Sequence, residues 1–473
     1  MTKTIFYRFY LVPIFFLFVF DSVPRFFQGD SVSYLSTSIG HWLPPDRSWE
    51  FGLFVNFLLR TSHSLVSFIV FQLCILIILV EAIKKFFPQT KTGLIFWGIT
   101  SFVITLDPMI EIYTRFYMSD FLAMSLYIGF VIGLLSLSGT STKKSNLLPG
   151  ITLVLLCVFG CVFVRIAYIL IILSTTVLTA LLAYQHLSTK KRLVFSLIAI
   201  CPIFAGGCVA VANHFAFEKE FPGQFFTAKI SSEGLVTIFS PALTQNDFAQ
   251  AGIPITTSEY EKLDLSNYQK RNNQLWGTEH NDLIQLIKDN LHIHGDYQEA
   301  TSEASKRLIR RALINNPISL LKVYLYNLSM LSSSSQWDLF AHSELGLDRT
   351  LPIDFVNMVN SDSVLKITPD ITTIHSPIIN LCLRAFNFYP FQIWLGFLSG
   401  VWLLIKTKRK FEISLVFSAF ISVVMVTPLY EAYMIPRYFL AAIFLGYVLI
   451  GLAVCNFLSL ITTARRFDPL FFF

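Results

Sequence analysis

The stretch GDSVSYLSTSIGHWLPPDRS (residues 29–48) gathers Asp30, Tyr34, Asp46 and Arg47 just behind the apolar run IFFLFVF. Carboxylates of this kind can take a proton from a hydroxyl, and a guanidinium holds phosphate oxygens two at a time. The same two chemistries recur later. LDPMIEIYTRFYMSD (106–120) carries Asp107, Glu111 and Asp120, Arg165 follows an apolar run that ends at Val164, and IPRYF (435–439) carries Arg437 and Tyr438. Two other patterns are set aside. HIHGD, with His292, His294 and Asp296, imitates a metal-binding H-x-H-x-D, yet Tyr297 stands where a further histidine is expected, so it reads as a surface turn. Asn213-His214 closes an apolar run and reads as interfacial. No Walker loop, G-x-G-x-x-G, G-x-S-x-G or H-E-x-x-H occurs, so nucleotide binding and the hydrolase chemistries of those motifs gain no support.

The elements that must position these residues are membrane helices. The chain has 473 residues, 54% hydrophobic and 14% charged, where a soluble domain carries about 25% charged residues. Apolar segments near the length needed to cross a bilayer lie at 5–20, 64–83, 93–106, 117–137, 147–164, 166–185, 193–213, 386–405, 413–429 and 436–460. The expected fold is therefore all-α, a polytopic transmembrane bundle of about ten helices with a large extracytoplasmic segment. The first helix reads as uncleaved, because DSVPRFFQGD offers no small-residue cleavage site. The seven cysteines all fall in or beside apolar segments and read as small hydrophobes, with no disulfide framework or zinc spacing.

Basic clusters occupy alternate connections: Lys84, Lys85 and Lys91; Lys143 and Lys144; Lys190, Lys191 and Arg192; Lys406, Lys408, Arg409 and Lys410; Arg465 and Arg466. With Lys3 and Arg8 at the start, all fall on the cytoplasmic side of a ten-helix path, which predicts N-in, C-in. The net charge of +6 then reflects this bias and calls for no nucleic-acid partner. ISLLKVYLYNLSM (318–330) is too short to span, carries Lys322, and reads as interfacial or re-entrant. The division expected is an N-terminal core (1–213), an extracytoplasmic segment (214–385) and C-terminal helices with a short cytoplasmic tail (386–473). Ser- and Pro-containing stretches in the middle part suggest loops, not a separate compact domain.

On this topology Asp30, Asp107, Glu111, Asp120, Arg165 and Arg437 all sit at the outer ends of helices. Such a ring suits a substrate whose lipid tail lies in the bilayer and whose polar head emerges from it. The span centres carry almost no ionisable residue, which argues against an ion-coupled transporter.

Taken together, GDSVSYL after the first helix, LPPDRSWEFG later in that loop, MSD at the fourth helix, Arg165 at the sixth and IPRYFLAAIF at the last resemble the GT-C superfamily of polytopic membrane glycosyltransferases. Examples are protein O-mannosyltransferases and lipid A aminoarabinose transferases. The resemblance covers 1–213 and 386–460, not 214–385. It implies a membrane enzyme that moves a sugar from a polyprenyl-phosphate donor to a lipid-, glycan- or protein-linked acceptor. The short apolar spans and uncleaved anchor fit a bacterial inner membrane. The resemblance also implies that Asp30 is the catalytic base and that the second acid is Asp120, or less well Glu111 or Asp107. Arg437 would meet the carrier phosphate.

A single base suffices for one inverting displacement. Arg165 and Arg47 stand behind Arg437 for the phosphate. Tyr34, four residues after Asp30, shares its helical face and can contact the sugar. Asp46, Glu111 and Tyr438 complete the expected substrate-binding set. No acid adjoins Asp30, so no cofactor is expected and a divalent metal is left open. The rival readings are a polymerase or ligase of lipid-linked polysaccharide, which leans on arginines and a histidine, and a lipid-linked-sugar flippase, which needs a polar path through the spans.

Overall fold

The computed structural model describes residues 7–20, 24–26, 30–40, 42–44, 47, 49–138, 147–183, 189–224, 232–276, 281–294, 299–337, 350–361, 366–367, 385–407, 409–430 and 435–467. Asp21, Asp46, Lys143, Lys144, Asp296, Cys382 and Lys408 therefore lie outside the described residues. The protein is a helical, multi-pass membrane protein. In chain order the bundle contains α1 (Leu11–Phe20), α2 (Asp30–Gly40), α3 (Glu50–Ser62), α4 (Val66–Ala82), α5 (Lys91–Leu106), α6 (Pro108–Tyr113), α7 (Asp120–Ser138), α8 (Leu147–Val164), α9 (Tyr168–Ala183) and α10 (Thr189–Glu220). An outer group follows: α11 (Ser232–Ile238), α12 (Gln245–Gln250), α13 (Thr257–Leu263), α14 (Tyr268–Trp276), α15 (Asp282–Asn290), α16 (Glu299–Asn315) and α17 (Pro317–Ser329). After α18 (Ile353–Ser361), the bundle closes with α19 (Tyr389–Lys406), α20 (Lys410–Tyr430) and α21 (Leu440–Phe467).

Among the described residues five stretches are long and apolar enough to cross a membrane: Val66–Phe86, Asp120–Leu137, Ser196–Glu220, Lys410–Tyr430 and Pro436–Ile461. Lys91–Leu106, Leu148–Val164 and Tyr168–Leu182 are shorter apolar helices. Each apolar segment expected from the sequence overlaps one apolar helix of the bundle. Several polar side chains inside the bundle hydrogen-bond to backbone on neighbouring helices. Trp97 Nε1 donates to the Val80 carbonyl at 2.7 Å, Tyr127 OH to that of Ala419 at 2.9 Å, and Gln392 Nε2 to that of Ile443 at 2.9 Å. Cys157, Cys161 and Cys455 are buried in the bundle, and the Cys161 thiol contacts the Ala123 carbonyl at 3.4 Å.

Two chemically different ends result. At one, Arg8 Nε meets Glu81 Oε1 at 2.5 Å, Lys84 lies over the Trp97 ring at 4.9 Å, and Arg409 Nη2 donates to the Lys85 carbonyl at 3.3 Å. At the other end α5 stops, α7 starts, α8 stops, and α20 gives way to a 3-10 turn at Pro436–Phe439. Pro108 disfavours helix at the residue before it, and Asp107 is accordingly extended. Its carboxylate accepts from Ile110 N at 3.1 Å and so begins α6.

The first connection folds over this second end. Gly52 of α3 packs so closely on α2 that a Cβ there would come 2.6 Å from Thr37 Cβ. Phe355, Val356 and Val359 of α18 share a buried core with Phe26, Tyr34 and Leu35. Residue 25 also pairs with the second connection through its backbone: Arg25 N donates to the Arg115 carbonyl at 2.9 Å and Tyr117 N to that of Arg25 at 3.1 Å. That isolated bridge is the sole β pairing among the described residues.

The expectation that 214–385 lacks a compact unit gives way to a different finding. Helices α11 to α17 bury a core of their own that includes Val236, Phe248, Ile253, Leu283, Ile287, Leu308 and Val323. Arg271 pins it, donating to the Ile238 carbonyl at 2.9 Å and to Asn327 Oδ1 at 3.2 Å; burial pulls its pKa down to about 10. The helices of this unit are mostly six to nine residues long, too short for apolar periodicity to stand out. Their start signals are legible: Thr244 with Asp247 and Thr256 with Glu259 both form reciprocal capping boxes.

Candidate active site

Asp30 opens α2, and its carboxylate lies between two arginines. Arg47 Nη1 donates to Oδ1 at 2.6 Å, and Arg437 Nη1 stands 3.4 Å from Oδ2. One turn along α2, Tyr34 turns to the same side. Its hydroxyl shares a hydrogen bond of 2.9 Å with Ser119 Oγ, and the Arg47 guanidinium lies 5.8 Å from its ring centre. Burial, and secondarily the charge of Asp30, pushes the Tyr34 hydroxyl's pKa up, so it stays a neutral hydroxyl.

Asp120 opens α7 immediately after Ser119 and pairs through Oδ1 with Arg165, which follows the last turn of α8. Asp120 Oδ2 is buried without a hydrogen-bond partner among the described residues. The two halves of the cluster meet at Tyr438 in the 3-10 turn: Arg165 lies 4.3 Å and Arg437 5.1 Å from its ring centre. The Tyr430 ring supports Tyr438 edge-on at 6.1 Å. Asp30, Asp120, Arg165, Arg437, Tyr34 and Tyr438 are all below 9% exposed.

Seven expected site residues, Arg47 among them, thus form one chain of contacts drawn from four separate connections of the bundle. Two other expected residues have further partners. Glu111 of α6 accepts from Arg115 Nη1, just past the helix end, at 2.7 Å, and α6 packs on the Pro436–Phe439 turn. Asp107 caps α6 and accepts from Tyr389 OH at 3.1 Å and Tyr447 OH at 2.9 Å, a clasp between connections. Asp46 lies outside the described residues. His292 ends α15 in a left-handed conformation, as a turn residue does, well away in the outer unit.

Sequence reading missed three participants. Ser119 had a signal, standing beside Asp120 in MSD; Arg115 had one too, four residues after Glu111. Trp337 had none, being a lone aromatic in the middle segment. It is fully buried against Tyr389 at 5.2 Å and Phe439 at 6.0 Å, behind the turn that carries Arg437.

Among the described residues the cluster sets three guanidinium groups, Arg47, Arg165 and Arg437, against two carboxylates, Asp30 and Asp120. Arginines held this far from water attract an anion more strongly than exposed ones do. No three His, Cys, Asp or Glu side chains among the described residues are grouped to hold a metal ion.

No protein-family model matches the chain, and no curated protein matches it. Among solved structures it is similar to ArnT from Cupriavidus metallidurans in the apo state, at 12% identity and a TM-score of 0.35 over 95% of this chain and 78% of that one. The same protein bound to undecaprenyl phosphate gives 12% identity and a TM-score of 0.35 over 97% and 78%. At that score the likeness carries no argument about the site.

Proposed function

We propose that the chain is a GT-C-type glycosyltransferase that moves a sugar from a polyprenyl-phosphate donor to a lipid-, glycan- or protein-linked acceptor. The observation that carries this reading is the buried meeting of Asp30, Arg437, Tyr438, Arg165 and Asp120 at one end of an apolar bundle. A lipid-borne phosphate reaches such a place from the bilayer while its sugar projects outward. Residues 1–213 and 386–473 supply the reaction centre and 214–385 the extracytoplasmic segment. The chain runs N-in and C-in across a bacterial inner membrane, with the cluster outside.

The acceptor oxygen attacks the anomeric carbon, the bond from that carbon to the phosphate oxygen breaks, and the phosphate leaves with the electron pair. Asp30 takes the acceptor proton, and the configuration inverts. Arg437 and Arg47 both touch Asp30. An incoming phosphate competes for these two guanidinium groups and releases the carboxylate to act as base. Arg165, held by Asp120, stabilises charge on the leaving phosphate through the same electropositive pocket. Tyr34 hydrogen-bonds the sugar.

The test is purified full-length protein in proteoliposomes with a polyprenyl-phosphate sugar. Asp30→Asn is expected to abolish transfer with insertion and expression unchanged; wild-type turnover in that variant removes Asp30 as base. Mass spectrometry of cell-surface glycans with and without the gene identifies the sugar and acceptor, and identical glycans would count against the activity.

A further inference from the structure

A second surface, away from the cluster, has a composition unsuited to water. Along α17 the side chains of Ile318, Leu321 and Leu325 follow at spacings of three and four residues, one helical stripe, and Ile314 precedes them across the break at Asn316. All four are exposed, Ile318 to 70% and Leu325, the least, to 50%. The opposite face of α17 is already used, with Leu320 and Val323 buried in the core of the outer unit. Arg310, Arg311 and Lys322 are exposed beside the stripe. Among the described residues none of the three forms an ion pair, whereas the nearby Lys306 is occupied by Glu303 at 2.5 Å.

The attachment of α17 indicates what covers the stripe. Tyr324 OH donates to the Met425 carbonyl at 2.9 Å and Asn327 Nδ2 to that of Pro428 at 3.3 Å. Both acceptors belong to the last turns of α20, a helix apolar and long enough to span a membrane. Met425 and Leu429, in those same turns, are themselves exposed. The stripe therefore continues the lipid-facing flank of a spanning helix at the depth where that helix ends. Cations placed at that depth lie at the level of lipid phosphates.

We propose that the α16–α17 face is a membrane-surface site for anionic phospholipid headgroups. Ile314, Ile318, Leu321 and Leu325 enter the acyl boundary, and Arg310, Arg311 and Lys322 contact the phosphates. The outer unit is thereby tethered to the bilayer along one edge.

The test uses the full chain in a background with the seven native cysteines replaced, carrying an environment-sensitive fluorophore at Ile318→Cys, Leu321→Cys or, as control, Glu261→Cys. The protein is reconstituted in vesicles of phosphatidylcholine with or without phosphatidylglycerol. Labels at 318 and 321 are expected to be quenched by nitroxide-bearing lipids and shielded from aqueous iodide, and the label at 261 to show the reverse. Strong iodide quenching at 318 and 321 overturns the proposal. So does shielding without nitroxide quenching, the outcome for a protein partner or a second copy of the chain. In a second measurement, the preference of spin-labelled phosphatidylglycerol over phosphatidylcholine for the protein is compared between wild type and the Arg310→Gln, Arg311→Gln, Lys322→Gln triple variant. A loss of about fivefold or more is expected; an unchanged preference removes the headgroup contacts.

Discussion

The two ends of the bundle both carry ion pairs, and the pairs differ in kind. Arg8 and Glu81 are 39% and 28% exposed in their side chains, whereas Arg165 and Asp120 are 8% and 2% exposed. A wet pair gains little and costs little. A dry one takes two charges out of water, and that cost is tolerated only where geometry or function requires the charges. One end therefore reads as the ordinary electrostatics of a membrane protein facing water. The other reads as a place prepared for an ion that arrives from elsewhere.

The sharpest way to break this contrast is to neutralise one carboxylate at each end. Asp30→Asn should lower turnover by roughly 10²–10⁴-fold, the usual contribution of a general base, while Glu81→Gln leaves it unchanged in the same proteoliposome assay. Comparable losses from both variants would erase the distinction. Stability gives the next largest effect. Arg165→Gln strands a buried Asp120 and should destabilise the protein by about 3–5 kcal/mol, against about 1 kcal/mol or less for Arg8→Gln, as read by denaturant unfolding in detergent. Next, Arg437→Ala should raise the KM for donor by roughly 10–100-fold, the value of a charge-assisted hydrogen bond, with the acceptor KM little changed. An equal rise in both would argue against a phosphate contact.

The smallest effect concerns Glu50, at the start of α3, which has no ion-pair partner among the described residues. Burial pushes its pKa up to about 7. The folded chain then holds this proton more tightly than the unfolded chain, so stability is greatest at low pH for this group. It falls as pH rises from the ordinary carboxylate range through about 7. Glu50→Gln should remove that fall and stabilise the protein by about 1–2 kcal/mol at pH 8, an amount reduced by partial solvent screening. A pH profile of melting temperature that is identical in wild type and variant would mean that the carboxylate is solvated.

Much of this was legible in the sequence because the signals were local. Hydropathy marked the apolar helices of the bundle, though not α2, α3 or α6, and in a chain only 14% charged an Asp or Arg at a helix end stands out singly. Which acid meets which arginine was not legible. Asp30 with Arg437 and Asp120 with Arg165 join residues far apart in sequence, and nothing in the spacing of either encodes its partner. Glu111 shows the converse: as a ring acid it resembled Asp120, but an arginine four residues on gave it a local partner. The outer unit was underread because short helices carry little periodicity, although two capping boxes announced helix starts within it.

The backbone pairing of Arg25 with residues 115 and 117 has a mechanical meaning. Spanning helices tilt and slide when bilayer thickness changes, so a reaction centre assembled from helix ends alone would shift its spacing with every change in lipid. Two peptide-to-peptide hydrogen bonds tie Arg25, a few residues before α2, to the loop entering α7. The carboxylates at the heads of those helices then ride together as one piece. Lipid chain length should accordingly alter how readily substrate arrives and leave the spacing of Asp30 and Asp120 as it is.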